Sequence, residues 1–218
     1  MVTKKREKTF TINLLLTIFR FIRIHRHRLI NPINTSYSAF EELKHKEMKN
    51  EKFVQIYTPD EKTVQLLDNG RTFKNLKFGI CACALGDHFY SFGIHCIRIR
   101  VDEGHPVLGI RSRNIPPIAD EDCSGSYDAS PSTYGWKKDV GRILNGSLER
   151  SGRMKKVKDI KIGGPAYTMT VNCDDHQLSI LDENNKEEDV IDLDVNYIPF
   201  PWCLFIALPR ATAQVALM

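Results

Sequence analysis

Residues 93–136 decide the fold, and they read GIHCIRIRVDEGHPVLGIRSRN, then IPPIADEDCSGSYDASPS, then TYGW. In the first part, Ile97, Ile99 and Val101 alternate with charged side chains. A period of two predicts a β-strand that buries one face and leaves the other in solvent. The strand is long enough to lie inside a sheet, so the neighbouring segments are expected to pair with it.

A second strand and a long loop follow the first strand. Glu103-Gly104 predicts a turn, and Pro106 to Ile110 predicts a shorter, apolar strand. The loop that follows is rich in Pro, Ser and Asp, and it ends on Tyr134 and Trp136. A strand pair that leads into such a loop suggests a rigid sheet that presents a contact surface.

The composition is that of a folded globular protein, with 42% hydrophobic and 27% charged residues among 218. The formal charge of +4 is localised, because residues 1–34 contain eight Lys and Arg against one acid, Glu7, which leaves about −3 on the rest. A mildly acidic body excludes a basic nucleic-acid footprint across it. The six cysteines lie in strand-like segments and favour reduced, buried thiols in a cytoplasmic protein.

The first fifty residues are predicted to form an N-terminal extension, and residues 51–218 the folded domain. Residues 10–19 are mostly apolar, but the run is too short to span a bilayer, and Arg20 and Arg23 interrupt it. Three interpretations stay open: a basic element in residues 1–28 that lies on an anionic membrane, a partner-binding segment, or a poorly ordered extension. Residues 36–50 have the composition of a short connector helix.

From residue 53 onward the pattern predicts strands separated by turns, with no helical crossover between them. Besides the two strands above, the expected strands are 53–57, 63–67, 72–85, 167–173, 176–181, 190–195, 201–208 and 212–217. This spacing predicts an all-β fold, an antiparallel two-sheet β-sandwich. Residues 202–208 are apolar on both faces, so they are expected in a central strand with Trp202 in the core.

The order of landmarks resembles that of SPRY domains, also called B30.2-like domains. GIHCIRIRV is similar to a strand in which a His precedes alternating Trp-Glu-Val-Glu-Val, with Ile97 in the place of the Trp. The later landmarks are VLGI at 107–110, YGW at 134–136, VNCD and LSI at 171–180, and IPFP at 198–201. The resemblance covers residues 72–217, and a leading PRY motif is not evident.

The resemblance implies a bent, concanavalin A-like sandwich that works as a non-catalytic protein-recognition module. Such modules are often the substrate-binding end of a ubiquitin-ligase or immune-signalling protein. The expected partner is a protein or peptide bound by loops at one edge of the sandwich, with no cofactor. Two alternatives stay open: a lectin-like sandwich that binds carbohydrate, and a membrane-peripheral adaptor anchored by the basic N-terminus.

The candidate partner-binding residues lie in or beside the long loop: Arg111, Arg113, Tyr127, Asp128, Tyr134 and Trp136. Trp, Tyr and Arg dominate binding hot spots. Alternation puts the last two aromatics on one face, which meets either a partner or the core. The two arginines are suited to grip a carboxylate or an acidic peptide, or else they are solvated loop charges.

No catalytic or metal-binding pattern is present in the sequence. Cys81 and Cys83 are one residue apart within a strand, which is a poor arrangement for a zinc site. A nucleophile elbow, a phosphate loop and a dinucleotide fingerprint are all missing. The acid-rich segments 120–122 and 182–189 are interpreted as loop charge and not as the paired carboxylates of a sugar hydrolase. The chain is therefore predicted not to be an enzyme.

Overall fold

A computed structural model of the chain describes residues 45–119, 127, 129–137, 140–149, 164–208 and 212–218, and these contain fifteen β-strands in two sheets. The strands are β1 His45–Glu47, β2 Phe53–Tyr57, β3 Val64–Leu67, β4 Thr72–Asn75, β5 Ala82–Gly86, β6 Ile94–Glu103, β7 Val107–Ser112, β8 Thr133–Lys137, β9 Gly141–Leu144, β10 Ser147–Glu149, β11 Ala166–Asn172, β12 Gln177–Asp182, β13 Glu188–Asp192, β14 Trp202–Leu208 and β15 Ala213–Leu217. The only helical segments in the described part are single 3₁₀ turns at Glu61–Thr63 and Asp68–Gly70.

The first sheet is built around β6, the long alternating strand. Its order is β13-β12-β11-β6-β15-β4-β3, and β1 pairs with the start of β6. Every pairing is antiparallel except that of β1, which runs parallel to β6. Ile97, Ile99 and Val101 are buried and the side chains between them are half-exposed, as the alternation predicts.

The second sheet is built around β14, in the order β10-β9-β8-β7-β14-β5-β2. Every residue of β14 is buried, because each face of this strand meets apolar side chains. Trp202, Leu204 and Ile206 join the main core between the sheets. Cys203, Phe205 and Ala207 belong to a second, smaller core on the outer face. The predictions of a central β14 and a buried Trp202 are confirmed.

The main core joins both sheets, and this confirms the predicted all-β, antiparallel two-sheet sandwich. Met169 and Val171 of the first sheet lie in the same apolar cluster as Leu108 and Leu204 of the second. Alternate residues of each strand thus face the partner sheet, which is how a sandwich forms its core.

The predicted connector helix over residues 36–50 is wrong at its C-terminal end. Residues 45–47 form β1, and the Met48 backbone N–H donates to the Cys96 carbonyl oxygen at 2.9 Å. Pairing with an open stretch of β6 satisfies these backbone groups better than a helix end in solvent would. Residues 36–44 lie outside the described part of the chain, as do residues 1–28, on which the membrane interpretation depends.

The predicted single strand over residues 72–85 is also wrong, because it consists of two strands in different sheets. β4 belongs to the first sheet and β5 to the second. The Asn75 side-chain amide donates to the Ile80 carbonyl oxygen at 2.7 Å, and Gly79 adopts a φ of +87°. These two features close a turn between the strands, and the Phe78 side chain on that turn is 81% exposed.

An ion pair on the outer face of the first sheet links β6 to the chain just after β12. The Arg98 guanidinium donates to both Glu183 carboxylate oxygens, at 2.8 and 2.7 Å, and the Thr168 hydroxyl donates to one of them at 2.8 Å. The hydrogen bonds from Arg98 lower the pKa of Glu183 from 4.5 to about 2. The pair is half-exposed, so its contribution to stability is screened by solvent.

We predict that Glu183→Gln lowers the free energy of unfolding by about 1 kcal/mol at pH 7. Because the folded-state pKa of Glu183 lies below its usual value, the stabilisation is complete above about pH 4.5 and is lost as the pH falls towards 2. Urea unfolding at pH 7, 4.5 and 3 should therefore show that the free energies of unfolding of the original protein and of Glu183→Gln converge as the pH falls. Glu188→Gln, an exposed glutamate, is the matched control, and a constant gap across this range would contradict the prediction.

Candidate functional site

Tyr134 and Trp136 lie inside the sandwich, so of the two interpretations of their shared face the structure supports the core and not partner contact. Their side chains are 4% and 1% exposed and belong to the main core. β8 and β7 lie so close together at Gly135 that a Cβ at this position would overlap the Leu108 carbonyl oxygen. The Trp136 indole N–H donates to the Asp189 carboxylate at 2.7 Å, which satisfies its polar group at the core edge.

Arg111 is also buried, on the outer face of the second sheet. Its guanidinium donates to the Ile115 carbonyl oxygen at 2.6 Å, the Ser130 hydroxyl at 3.1 Å and the Pro131 carbonyl oxygen at 3.3 Å. Its carbon Cζ lies 5.5 Å from the ring centroid of Phe205. Burial lowers the pKa of Arg111 from its ordinary value. The side chain therefore holds the two ends of the β7–β8 loop, at Ile115 and at Ser130 and Pro131, and is not available to grip a partner's carboxylate.

The remaining predicted residues lie in different places. Tyr127 is buried over the outer face, with its ring 6.5 Å from that of Tyr57. Arg113 is half-buried at the end of the sandwich, where it donates to the Gly86 carbonyl oxygen at 3.1 Å. Asp128 lies outside the described residues. The six predicted residues thus do not form one surface, and among the described ones only Arg113 lies beside exposed apolar groups.

A set of exposed aromatic side chains at one end of the sandwich was not predicted from the sequence. Phe89 is 60% exposed, Phe92 79% and Tyr197 57%, and Phe200 is half-buried beside them. β5, β7, β11 and β13 finish at this end, and the strands that follow each of them start there. We call this surface the aromatic end, formed by the loop segments 87–93, 113–119, 173–176 and 193–201.

Backbone hydrogen bonds hold the loops of the aromatic end against one another. Tyr90 and Trp202 exchange two bonds of 2.8 Å each, which link segment 87–93 to the start of β14. The Cys173 N–H donates to the Gly93 carbonyl oxygen at 3.0 Å, and the Gly93 N–H donates to the Asp174 carboxylate at 2.8 Å. Loops tied in this way lose little conformational entropy when a partner binds.

The carboxylate of Glu51 supports segment 87–93 from below. It is buried, and it accepts hydrogen bonds from the Asp87 N–H at 2.8 Å and from the Tyr90 hydroxyl. Burial and then the nearby Glu51 charge raise the pKa of Tyr90. The tyrosine stays protonated, so its hydroxyl remains a donor, and the loop that carries Phe89 and Phe92 keeps its position.

Two side chains of the aromatic end, Phe89 and Phe200, also make ring contacts with neighbouring residues. The Arg113 guanidinium carbon lies 5.2 Å from the Phe89 ring centroid. The Phe200 ring stacks on Trp202 with centroids 4.2 Å apart, and His176 lies 5.8 Å from Phe200. These contacts connect an exposed apolar surface to the main core. The segment FYSF at 89–92, between two glycines, was the signal in the sequence, but it has no period that marks a strand.

The aromatic end combines exposed rings with a few polar and charged groups. Across the described ranges, no group of three or more His, Cys, Asp or Glu side chains is placed to hold a metal ion. In the same ranges, no helix is long and apolar enough to cross a membrane. What the site does offer is apolar area, one arginine and several carboxylates.

Comparison with known proteins identifies the fold. No family model matches the chain, and no curated protein matches its sequence. The crystal structure of the TRIM65 PSpry domain is similar with a TM-score of 0.58 at 11% identity, over 84% of this chain and 95% of that one. The SPRY domain of human HERC1 gives a TM-score of 0.53 at 13% identity, over 72% of this chain and 95% of that one.

The chain has a SPRY-like fold. The structure of stonustoxin contains a similar region, with a TM-score of 0.54 at 10% identity, over 79% of this chain and 27% of that one. At these identities the similarity concerns the fold alone. The two-sheet architecture that the resemblance implied is therefore confirmed. The similarity does not extend to the individual residues of the aromatic end, which are interpreted from this chain's own structure.

We predict that Arg111→Ala destabilises the protein by about 2–4 kcal/mol, because it leaves a cavity and removes the donor to the Ser130 hydroxyl and to the carbonyl oxygens of Ile115 and Pro131. Urea unfolding at pH 7 measures the loss. Arg113→Ala is the control, since its side chain is half-exposed, and it should cost about 1 kcal/mol or less. Equal losses for the two variants would contradict the assignment of Arg111 as the loop's anchor.

We predict that the native protein protects its buried thiols from alkylation at pH 8. Burial raises the pKa of Cys203 to about 11 and that of Cys173 to about 12, so almost none of the reactive thiolate form is present. Among the five cysteines in the described ranges, iodoacetamide should label half-buried Cys96 first, and Cys81, Cys83, Cys173 and Cys203 only after unfolding. Mass spectrometry of the peptides, without reductant, would reveal any of these five that is oxidised, as the secreted-lectin alternative requires.

Proposed function

We propose that this chain is a non-catalytic recognition module that binds a segment of another protein through the aromatic end. The observation that carries the proposal is the exposure of Phe89, Phe92 and Tyr197 together on loops that are fixed by hydrogen bonds. Grouped, exposed aromatic side chains mark interaction sites, and aromatic residues dominate binding hot spots. A rigid support lets their burial contribute to affinity, because little ordering is needed.

The SPRY-like fold is a second support, since the family resemblance implies a protein-recognition role. From the sequence we expected a partner to be bound by loops at one edge of the sandwich. The contact surface proposed here retains one part of that expectation, the start of the loop after β7 with Arg113 and Asn114. It replaces Arg111, Tyr134 and Trp136 by Phe89, Phe92 and Tyr197 as the main contact residues. Recruitment of a substrate for ubiquitination, or immune signalling, is the role that such a module would serve in a larger assembly.

A reducing compartment such as the cytoplasm is the location we propose for this module. The five cysteines in the described ranges are free, and four of them are buried. Buried free thiols are common in cytoplasmic proteins and unusual in secreted domains stabilised by disulfides.

The experiment is a selection of random peptides on the full chain, followed by affinity measurements on the original protein and two variants. We expect Phe89→Ser/Phe92→Ser to raise the Kd of selected peptides at least about tenfold, since exposed aromatics are being removed from a hot spot. Phe78→Ser is the matched control, because its ring is 81% exposed at the opposite end of the sandwich. All three proteins should have the same free energy of unfolding within about 0.5 kcal/mol.

Peptides that bind the Phe89→Ser/Phe92→Ser variant as tightly as the original protein would place binding elsewhere and refute the proposal. The lectin alternative gives a different result in a parallel assay: retention on a glycan array that does not depend on Phe89 and Phe92. The expected result is peptide binding that depends on both phenylalanines and is unaffected by Phe78→Ser.

A further inference from the structure

The charge of the aromatic end is one-sided. Its loop segments contain four aspartates, Asp87, Asp174, Asp175 and Asp194, against one arginine, Arg113. The arginine is already engaged, with the Gly86 carbonyl oxygen and the Phe89 ring. The surface therefore presents carboxylates, which argues against the interpretation, left open from the sequence, that Arg111 and Arg113 grip an acidic peptide.

The carboxylates are interleaved with the exposed rings. Asp174 accepts a hydrogen bond from Gly93, the residue after Phe92. Asp194 starts the turn that carries Tyr197, since the Tyr197 N–H donates to the Asp194 carbonyl oxygen at 2.9 Å. On two separate loops of the same surface, an aspartate is thus linked by a hydrogen bond to the backbone at or next to an exposed aromatic residue.

Three of these carboxylates have only neutral partners in the described part of the chain. Asp174 accepts from Gly93, Asp175 accepts from the Asn172 side chain at 2.8 Å, and Asp194 accepts from the Asn196 side chain at 2.8 Å. Asp87 differs, because Lys52 Nζ lies 3.7 Å from it. Each of the three exposed charges is therefore available to a cation from a partner.

We propose that the partner segment is basic, with Lys or Arg side chains set among apolar ones. The stem of a Lys or Arg side chain packs on an aromatic ring while its charged end reaches water or a carboxylate. A cation over a ring gains about 0.5–1 kcal/mol at an exposed site. Rings next to carboxylates match both parts of such a side chain, whereas an acidic segment would meet like charge. This inference rests on the proposed function and specifies the chemistry of its partner.

The test uses the peptides selected on the full chain and a variant with two acids neutralised. Asp175→Asn/Asp194→Asn removes two charges and keeps an amide oxygen to accept the local hydrogen bonds. We expect selected peptides to be enriched in Lys and Arg, and the variant to raise their Kd roughly threefold to tenfold. Glu61→Gln/Glu188→Gln, which neutralises two exposed acids at the opposite end, should leave the Kd unchanged.

Ionic strength gives an independent measure of the same contacts. Raising NaCl from about 0.05 M to about 0.5 M shortens the Debye length to less than half. Binding of the selected peptides should weaken several-fold over this range, and the salt dependence should be smaller in Asp175→Asn/Asp194→Asn. Peptides in which Gln replaces every Lys and Arg should lose affinity to a similar degree.

The outcomes separate this inference from the function on which it rests. Peptides that require Phe89 and Phe92 but carry no basic excess, or that are acidic, would overturn the inference and leave the recognition function standing. Self-association of the chain through the aromatic end would do the same. If no peptide depends on Phe89 and Phe92, both proposals fail.

Discussion

The buried guanidinium of Arg111 is the constraint on which the loop architecture depends. A charge removed from water must find hydrogen-bond partners, and Arg111 finds them in Ser130 and in the carbonyl groups of Ile115 and Pro131. These partners come from both ends of the segment between β7 and β8. Among the described residues of this segment, Tyr127 and Ala119 pack with the smaller core around Phe205, on the outer face of the second sheet. Without the cation, these hydrogen bonds would be lost, and the two ends of the segment would no longer be fixed to the outer face of the second sheet.

Glu51 plays the matching role for the loop between β5 and β6. A buried carboxylate there accepts hydrogen bonds from Asp87 and Tyr90, just as a buried cation donates to the other loop. The two anchors bear opposite charges and lie below different loops, yet both loops reach the same end of the sandwich. Buried charge is costly, so each anchor favours the one arrangement in which its hydrogen bonds are made. The exposed rings of Phe89 and Phe92 are thus presented by a loop whose position is set from inside.

The fold could be predicted well because the pattern of a strand is contained in a short stretch of sequence. The site was predicted poorly because the burial of a side chain depends on residues far away in the sequence. Alternation along β6 identified Ile97, Ile99 and Val101 as core residues, and the apolar run of β14 identified a central strand. For Tyr134 and Trp136, alternation showed that they share a face but not which way that face points, which depends on the opposite sheet. The burial of Arg111 was equally hard to predict, since it depends on residues about twenty positions later in the chain, Ser130 and Pro131. Phe89 and Phe92 lie in a loop without a period, so no pattern distinguished them from ordinary surface residues.

The side chains that form the core and those that form the end surface are separate sets. The side chains that hold the sheets together, Trp136 and Trp202 among them, are buried and make no contact with solvent. Those that we propose to meet a partner, Phe89, Phe92 and Tyr197, lie on loops and contribute little to the core. Similar structures at 10–13% identity reproduce the sheets, which require only apolar alternation and turns at suitable spacing. The end loops obey no such requirement. Partner chemistry must therefore be derived from the charges and rings on this chain's own loops, and here those are aspartates beside phenylalanine and tyrosine.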